Sequence, residues 1–265
     1  MNAAALDLTS YDLIVVSSSA GKDSQAMLDY VIEQADLAGG LRDRIVVVHA
    51  DLGRVEWKGT AELAREQAAH YGVRFEIVSR TKNDLLDQVA ARGMWPSSKQ
   101  RYCTSDHKRG PILTVLTKLV AEKNLGRPVR ILQCIGLRAQ ESSTRAKLAV
   151  LELNERATNG RRTVTDWLPI HAWTVDQVWA RIKASGVRHH YVYDLGMPRL
   201  SCCFCIFAPK AALLLAGKHN PELLDQYVEV EARIGHTFKA NFSLATLKAE
   251  LVAGATTQAV ANWTM

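Results

Sequence analysis

Lys22 and Asp23 stand in the run Ser17-Ser18-Ser19-Ala20-Gly21-Lys22-Asp23-Ser24, an order of residue types suited to holding an anion. Small side chains let backbone N–H groups converge on one point, serine hydroxyls can donate to oxygens there, and a lysine adds a mobile charge. The run follows the apolar stretch Leu13-Ile14-Val15-Val16 and precedes Gln25–Ala38, where Ala26, Met27, Tyr30, Val31 and Ala35 recur at helical spacing. Strand, small-residue loop and helix in that order place the loop at a helix N-terminus, whose potential favours a phosphate. A Walker A loop is excluded, because Asp23 stands where that motif needs Ser or Thr after the lysine. An ordinary turn between strand and helix is the plain alternative.

Arg138 and Arg145, in Gly136-Leu137-Arg138-Ala139-Gln140-Glu141-Ser142 and beyond, can neutralise charge that builds on a phosphorus under attack. Glu141 can orient one of them, although Glu141 and Arg145 at i,i+4 also suit a surface ion pair. His49-Ala50-Asp51-Leu52-Gly53 ends an apolar run, so Asp51 is placed to meet a ribose hydroxyl or a metal ion. Four cysteines form a third group. Cys202 and Cys205 have C-x-x-C spacing, Cys203 lies between them, and Cys103 comes much earlier among Arg101, Lys108 and Arg109, whose charge suits a nucleophilic thiol. Four thiolates match a 4Fe–4S cluster in number, and zinc or a persulfide relay are the other options. Neighbours on an extended backbone point apart, which sets Cys202 against Cys203. Cys134, inside a strand, reads as a buried inert thiol.

These groups need elements to position them. After the first helix, Gly39-Gly40 is a stop and Arg44–His49 reads as a buried strand. A helix is expected over Glu56–Tyr71 with Trp57, Ala61, Ala64 and Ala68 inward, then a strand over Arg74–Val78. A further helix carries Leu85, Leu86, Val89 and Ala90 up to Gly93, and Pro111 opens another. Val129–Gly136 reads as the fourth strand. Residues 146–165 are expected to be loose, with an exposed turn at Asn159-Gly160-Arg161-Arg162. Thr174 with Gln177 is a capping box, and Trp173, Val178 and Trp179 read as packing. Strands alternating with helices predict a doubly wound, mostly parallel α/β sheet covered on both faces. Such sheets bind ligands at strand carboxyl ends, where all three phosphate-directed segments fall. Ala211–Ala216, Pro221–Ile234 and Leu244–Leu251 predict a C-terminal helical portion. The expected division is residues 1–170 as the loop-bearing α/β domain and 171–265 as a cysteine-containing helical portion packed on it.

The apolar fraction of 48% over 265 residues suits a folded core and excludes a disordered chain. No window holds about 18 uninterrupted apolar residues, so no membrane span is expected. Met1–Ser10 does not read as a signal peptide, and five clustered cysteines do not make a disulfide scaffold, so a cytoplasmic location is expected. A net charge of +6 suits an anionic substrate and falls short of arguing DNA binding by itself.

Ser19-Ala20-Gly21-Lys22-Asp23-Ser24 resembles the SGGKDS loop of the PP-loop ATP pyrophosphatases, with Ala20 for the first Gly. His49–Gly53 resembles the H-x-D-T-G segment of the phosphoadenylyl-sulfate (PAPS) reductase branch, with Leu52 for Thr. Gly136 to Arg145 resembles its G-x-R-x-x-E-S-x-x-R segment. Arg101-Tyr102-Cys103-Thr104 with Lys108 resembles R-W-C-T…K, and Ser201-Cys202-Cys203-Phe204-Cys205 resembles G-C-x-x-C, with Ser201 for Gly. Leu168-Pro169-Ile170 and Trp173–Trp179 resemble its P-I-x-x-W-x-x-x-x-V-W stretch. The combination is most similar to the ATP pyrophosphatase component of bacterial DNA phosphorothioation systems of the Dnd or Ssp type.

That resemblance implies an adenine nucleotide α-hydrolase-like fold that binds ATP with Mg²⁺ and cleaves it to AMP and pyrophosphate. The acceptor it implies is the DNA backbone, with sulfur supplied through a cysteine desulfurase and other sulfur-modification proteins. It carries nucleotide binding onto Ser17, Ser19, Ala20, Gly21, Lys22, Asp23, Ser24, His49, Asp51, Gly136 and Arg138. Catalysis falls on Lys22, Asp23, Arg138, Arg145 and Cys103, and metal or sulfur chemistry on Cys103, Cys202, Cys203 and Cys205. A homo-oligomer is compatible with it. The runner-up is a PAPS reductase, or a PP-loop tRNA thiolation enzyme with an iron–sulfur cluster. Sulfonucleotide reductases use a cysteine in a later E-C-G-x-H context, and no cysteine follows Cys205 in this sequence.

Overall fold

The computed structural model describes residues 6–257, 259, 260 and 263, so the leader expectation for Met1–Ser10 lies partly outside the described residues. In chain order the first half runs β1 (Leu13–Ser18), α1 (Lys22–Leu37), β2 (Ile45–Ala50), α2 (Thr60–His70), β3 (Arg74–Val78), α3 (Leu85–Arg92) and α4 (Tyr102–Thr104). A π-helical turn over Ser105–Arg109 links α4 to α5 (Gly110–Lys123). Then come β4 (Val129–Ile135), α6 (Ser143–Ala146), β5 (Leu151–Leu153), β6 (Arg162–Trp167), α7 (Val175–Ser185), α8 (Lys210–His219), α9 (Pro221–Ile234) and α10 (Leu244–Val252). Among the described residues no helix is long and apolar enough to cross a membrane.

The chain divides into two compact units that interleave in sequence. One takes the described residues up to His49, Thr60–Val78 and Ile112–His190; the other takes Ala50–Gly59, Ser79–Pro111 and Tyr191 onward. A single boundary near residue 170 matches neither unit.

The first unit is built on a six-stranded sheet in the order β3-β2-β1-β4-β6-β5. β1 pairs in parallel with β2 and β4, β4 pairs in parallel with β6, and β5 runs antiparallel to β6. This is the expected doubly wound, mostly parallel architecture. Alternation along β1 explains why its run is apolar throughout. Ile14 and Val16 pack with Met27 and Val31 of α1 and Val178 and Ile182 of α7, while Leu13 and Val15 pack with Val115, Leu116 and Leu119 of α5. A strand buried on both faces has no position for a polar side chain, and each such aliphatic side chain contributes about 1.5–3 kcal/mol of burial. β1 leads the chain outward to β2 and β3, and β4 then returns on its other flank. The carboxyl ends of β1 and β4 therefore flank the switch point at which such sheets bind ligands.

Three local expectations need correction. The helix expected over Glu56–Tyr71 begins only at Thr60, because Gly59 takes φ +82° and interrupts it. Trp57 is accordingly 1% exposed in the core of the second unit rather than on the inner stripe of α2. Residues 146–165 are not simply loose, since they contain β5 and the start of β6. Asn159–Arg162 does form a tight turn, but Arg162 is buried, with Nε donating to the Ala157 carbonyl at 2.7 Å and Nη1 to Thr117 Oγ1 at 2.9 Å.

The second unit packs α3, α8, α9 and α10 around Trp95, Phe204, Tyr227 and Phe238, with the Trp95 and Tyr227 rings stacked at 5.4 Å. The buried carboxylate of Glu231 accepts from Phe238 N at 2.7 Å, Ser243 Oγ at 2.7 Å and Leu244 N at 2.9 Å, which ties α9 to the start of α10.

Candidate active site

The Ser17–Ser24 loop lies at the carboxyl end of β1, in register with the ends of β2 (Ser18 opposite His49) and β4 (Ser17 opposite Ile135). Ala20 turns it with φ +55°, a left-handed conformation that favours Gly and that Ala adopts only where its surroundings hold it. Gly21 caps α1 with no side-chain bond of its own. The loop amides lean on nearby hydroxyls: Ser19 N donates to Ser24 Oγ at 3.2 Å, and Ala20 N to Ser18 Oγ at 3.2 Å. Ser24 Oγ in turn donates to the Gly21 carbonyl at 2.9 Å.

Gly136, just past β4, shows how closely the other side approaches. A Cβ there would lie 3.1 Å from Asp23 C, Asp23 O and Ser24 N, all backbone atoms. Arg138, two residues on, is 4% exposed and donates through Nε to Asp23 Oδ1 at 2.6 Å and through Nη1 to Gln140 Oε1 at 2.8 Å. Asp23 Oδ2 meets the buried ammonium of Lys22 at 3.3 Å. A chain of charge, Lys22–Asp23–Arg138, thus spans the switch point. Glu141 accepts from Arg138 N at 3.0 Å and pairs with Arg145, so one carboxylate orients both arginine-bearing turns. That pair is largely shielded, at 7% and 16% side-chain exposure, and is not a solvated surface pair.

Two further side chains went unremarked in the sequence although they adjoin its motifs. Gln25 donates to the carbonyls of Val187 and Arg188 at 3.0 and 3.1 Å, anchoring the start of α1. Gln140 accepts from Arg138 and from Val175 N at 3.0 Å, tying the turn to α7. His49 is 1% exposed, and its Nδ1 meets the Ser18 carbonyl at 3.0 Å, a bond in which the ring must donate. It braces the end of β1. Asp51 lies in the second unit, where Oδ1 accepts from Gly53 N at 2.7 Å.

All four singled-out cysteines lie in the second unit. Cys103, Cys202 and Cys205 are half-buried and near enough for their charges to be felt mutually. Cys203 is 1% exposed in the apolar core, with its N–H donating to the Val55 carbonyl at 2.9 Å. Cys103, Cys202 and Cys205 pack against the same core that holds Cys203, and the Cys203 thiol feels the charge of Cys202. Among the described residues no three sulfurs gather within 4.8 Å, the spacing a single zinc ion would need. Burial pushes the Cys202 thiol up to about 12, with the charges of Cys205, Glu56 and Cys103 adding and Lys108 opposing. Burial also raises Cys205, against the pull of Lys108 and Arg199. Because the thiolate is the nucleophile, the rate at which iodoacetamide labels Cys202 should climb about tenfold per pH unit with no plateau below about pH 12. Peptide mass spectrometry across pH checks this, and a plateau near the ordinary thiol range would contradict it. Cys134 is buried in β4, its thiol pushed far up by burial, as expected of an inert core cysteine.

The fold and site define a doubly wound α/β protein with a small-residue loop at its switch point. Residues 13–208 match the phosphoadenosine phosphosulfate reductase domain, and the chain belongs to that family. It is 31% identical over 170 residues to a protein of Escherichia phage 186 described as an uncharacterised 37.8 kDa protein in the gpa 5′ region. That alignment covers 64% of this chain and 49% of the phage protein, so the chain spans about half the length of that relative. It is 27% identical over 212 residues to the adenosine 5′-phosphosulfate reductase of Allochromatium vinosum, covering 77% of this chain and 73% of the enzyme. The crystal structure of PAPS reductase from Candida auris in a phosphate complex superposes with a TM-score of 0.49 at 18% identity, over 73% of this chain and 83% of that one.

Proposed function

We propose that this protein is an ATP pyrophosphatase that cleaves ATP to AMP and pyrophosphate to activate an acceptor, the DNA backbone, for sulfur incorporation. The observation that supports it most is the buried Lys22–Asp23–Arg138 chain beside a small-residue loop at the switch point. The loop amides would exchange their contacts with Ser18 and Ser24 hydroxyls for β- and γ-phosphate oxygens, and Lys22 would swing onto the same oxygens. Arg138 and Arg145 would face the α-phosphorus. An acceptor oxygen attacks there, the bond to the bridging oxygen breaks, and its electron pair leaves with pyrophosphate. Both oxygens of Asp23 already meet cations, so Asp23 is cast as the residue that positions Lys22 and Arg138. It offers no ready ligand for Mg²⁺, and no step is assigned to that ion.

Cys103, Cys202 and Cys205 would carry sulfur delivered by a cysteine desulfurase. A 4Fe–4S cluster, when bound, would be held by thiolates drawn from Cys103, Cys202, Cys203 and Cys205 and would supply redox-active iron there. A second reading, reduction of adenylyl sulfate by attack of a cysteine thiolate on the sulfate sulfur, is favoured by the identity to the Allochromatium vinosum reductase. Anaerobically purified protein given α-labelled ATP with Mg²⁺, and separately adenosine 5′-phosphosulfate and its 3′-phosphorylated form, separates the two. AMP with pyrophosphate from ATP, and no sulfite from either sulfate ester, is expected. Sulfite without ATP cleavage would sink the first reading.

A further inference from the structure

A cleft of about 340 Å³ in the second unit is lined by Arg92, Gln100, Arg101, Tyr102, Ser105 and Arg109. Three of these six are arginines, and among the described residues none of the three forms an ion pair with a carboxylate. Two are held by aromatic faces instead. The Arg92 guanidinium lies 4.5 Å from the Tyr102 ring centroid, and that of Arg101 lies 5.0 Å from the Phe207 ring. A π face attracts a cation without neutralising it, so both keep full charge and their N–H forks. The platform under Arg92 is locked, because Tyr102 donates its hydroxyl to the Met94 carbonyl at 2.7 Å. Asp106 is the one acid here whose charge Arg92 stabilises, and its oxygens are engaged by Ser105 Oγ at 2.6 Å and Gln88 Nε2 at 2.8 Å. The π-helical turn carries both Ser105 and Arg109, and such an interruption of regular helix often marks a working surface.

We propose that this cleft docks the phosphodiester backbone of a nucleic acid. Its occupant rests on the acceptor reading above; its place rests on the three arginines. Guanidinium forks match phosphate oxygens bidentately. The two aromatic faces are each covered by an arginine, so neither offers a base a surface to stack on, and recognition falls on the backbone, independent of sequence. A site for a single nucleotide would instead enclose its base among apolar walls. Exposed Lys99 extends the positive charge along the same segment. Cys103 follows Tyr102 directly in α4, so a docked backbone lies along the turn that carries this thiol.

The test is anisotropy of a labelled DNA duplex titrated with the full chain, without ATP, between about 50 and 200 mM salt. Combined Arg92→Gln, Arg101→Gln and Arg109→Gln should cut the slope of log K against log salt by about 2–3, at roughly 0.9 for each phosphate no longer neutralised. The three Arg→Lys changes should largely keep that slope, and Arg188→Gln, an exposed arginine of the first unit, should not move it. If the triple variant loses its native circular dichroism, Arg109→Gln alone carries the test, with an expected fall of about 0.9. Undiminished binding by the glutamine variants overturns the proposal, as does a wild-type chain that ignores duplex DNA. So does full displacement of DNA by equimolar adenosine 3′,5′-bisphosphate. ATP cleavage assayed in parallel keeps the two ideas apart: its absence sinks the pyrophosphatase reading and leaves the cleft result standing.

Discussion

Arg138→Met should lower pyrophosphate release from ATP by about 10²–10³-fold, the usual cost of removing one preorganised donor from a developing charge. The side chain is buried and bridges Asp23 on the loop to Gln140 on the opposite turn, so its loss also leaves Asp23 Oδ1 without its cation while Oδ2 keeps Lys22. Breaking a shielded ion pair from one side costs about 3–5 kcal/mol, which denaturant unfolding would register beside the kinetics. Arg138→Lys separates the two roles. It restores charge but not a fork that holds two partners at once, so stability should recover further than turnover. In a double-mutant cycle with Asp23→Asn the two losses should be far from additive, because the residues act as one unit. An Arg138→Met variant that releases pyrophosphate at the wild-type rate would remove Arg138 from the site.

Gly136→Ala should be nearly as damaging with the change of a single methyl group. The new Cβ would sit 3.1 Å from three backbone atoms of Asp23 and Ser24, none of which can rotate away. β4 and α1 must part by a few tenths of an ångström at their tightest approach. Overpacking of this kind costs about 1–3 kcal/mol. Displacing the loop from Arg138 should lower ATP cleavage by roughly 10²-fold, since reacting groups tolerate little misplacement. Gly160→Ala, at a site with nothing within 4 Å, is the control and should change neither quantity. Equal behaviour of the two variants would show that the close approach is unimportant to the reaction.

The central strands were legible because a strand buried on both faces reads as an unbroken apolar run, as Ile45–Val48 and Leu13–Val16 do. β6 was not. Arg162–Trp167 mixes Thr163, Thr165 and Asp166 with its few apolar positions, and it lies next to the exposed edge strand β5. Its pairing with β4 comes from contacts remote in sequence, which no local pattern carries. Trp57 was misplaced for a local reason: its helical spacing was sound, but the left-handed Gly59 follows it and the helix starts only at Thr60.

The sequence by itself determined the loop, the strand that feeds it and the two arginine-bearing turns, because each depends on residue types within a few positions of one another. Only the tertiary structure decided that Asp23 belongs with Arg138, that Cys203 is buried in the core, and that Arg92, Arg101 and Arg109 line one cleft. Those outcomes depend on which distant segments pack together, and on which side of the backbone each side chain then falls.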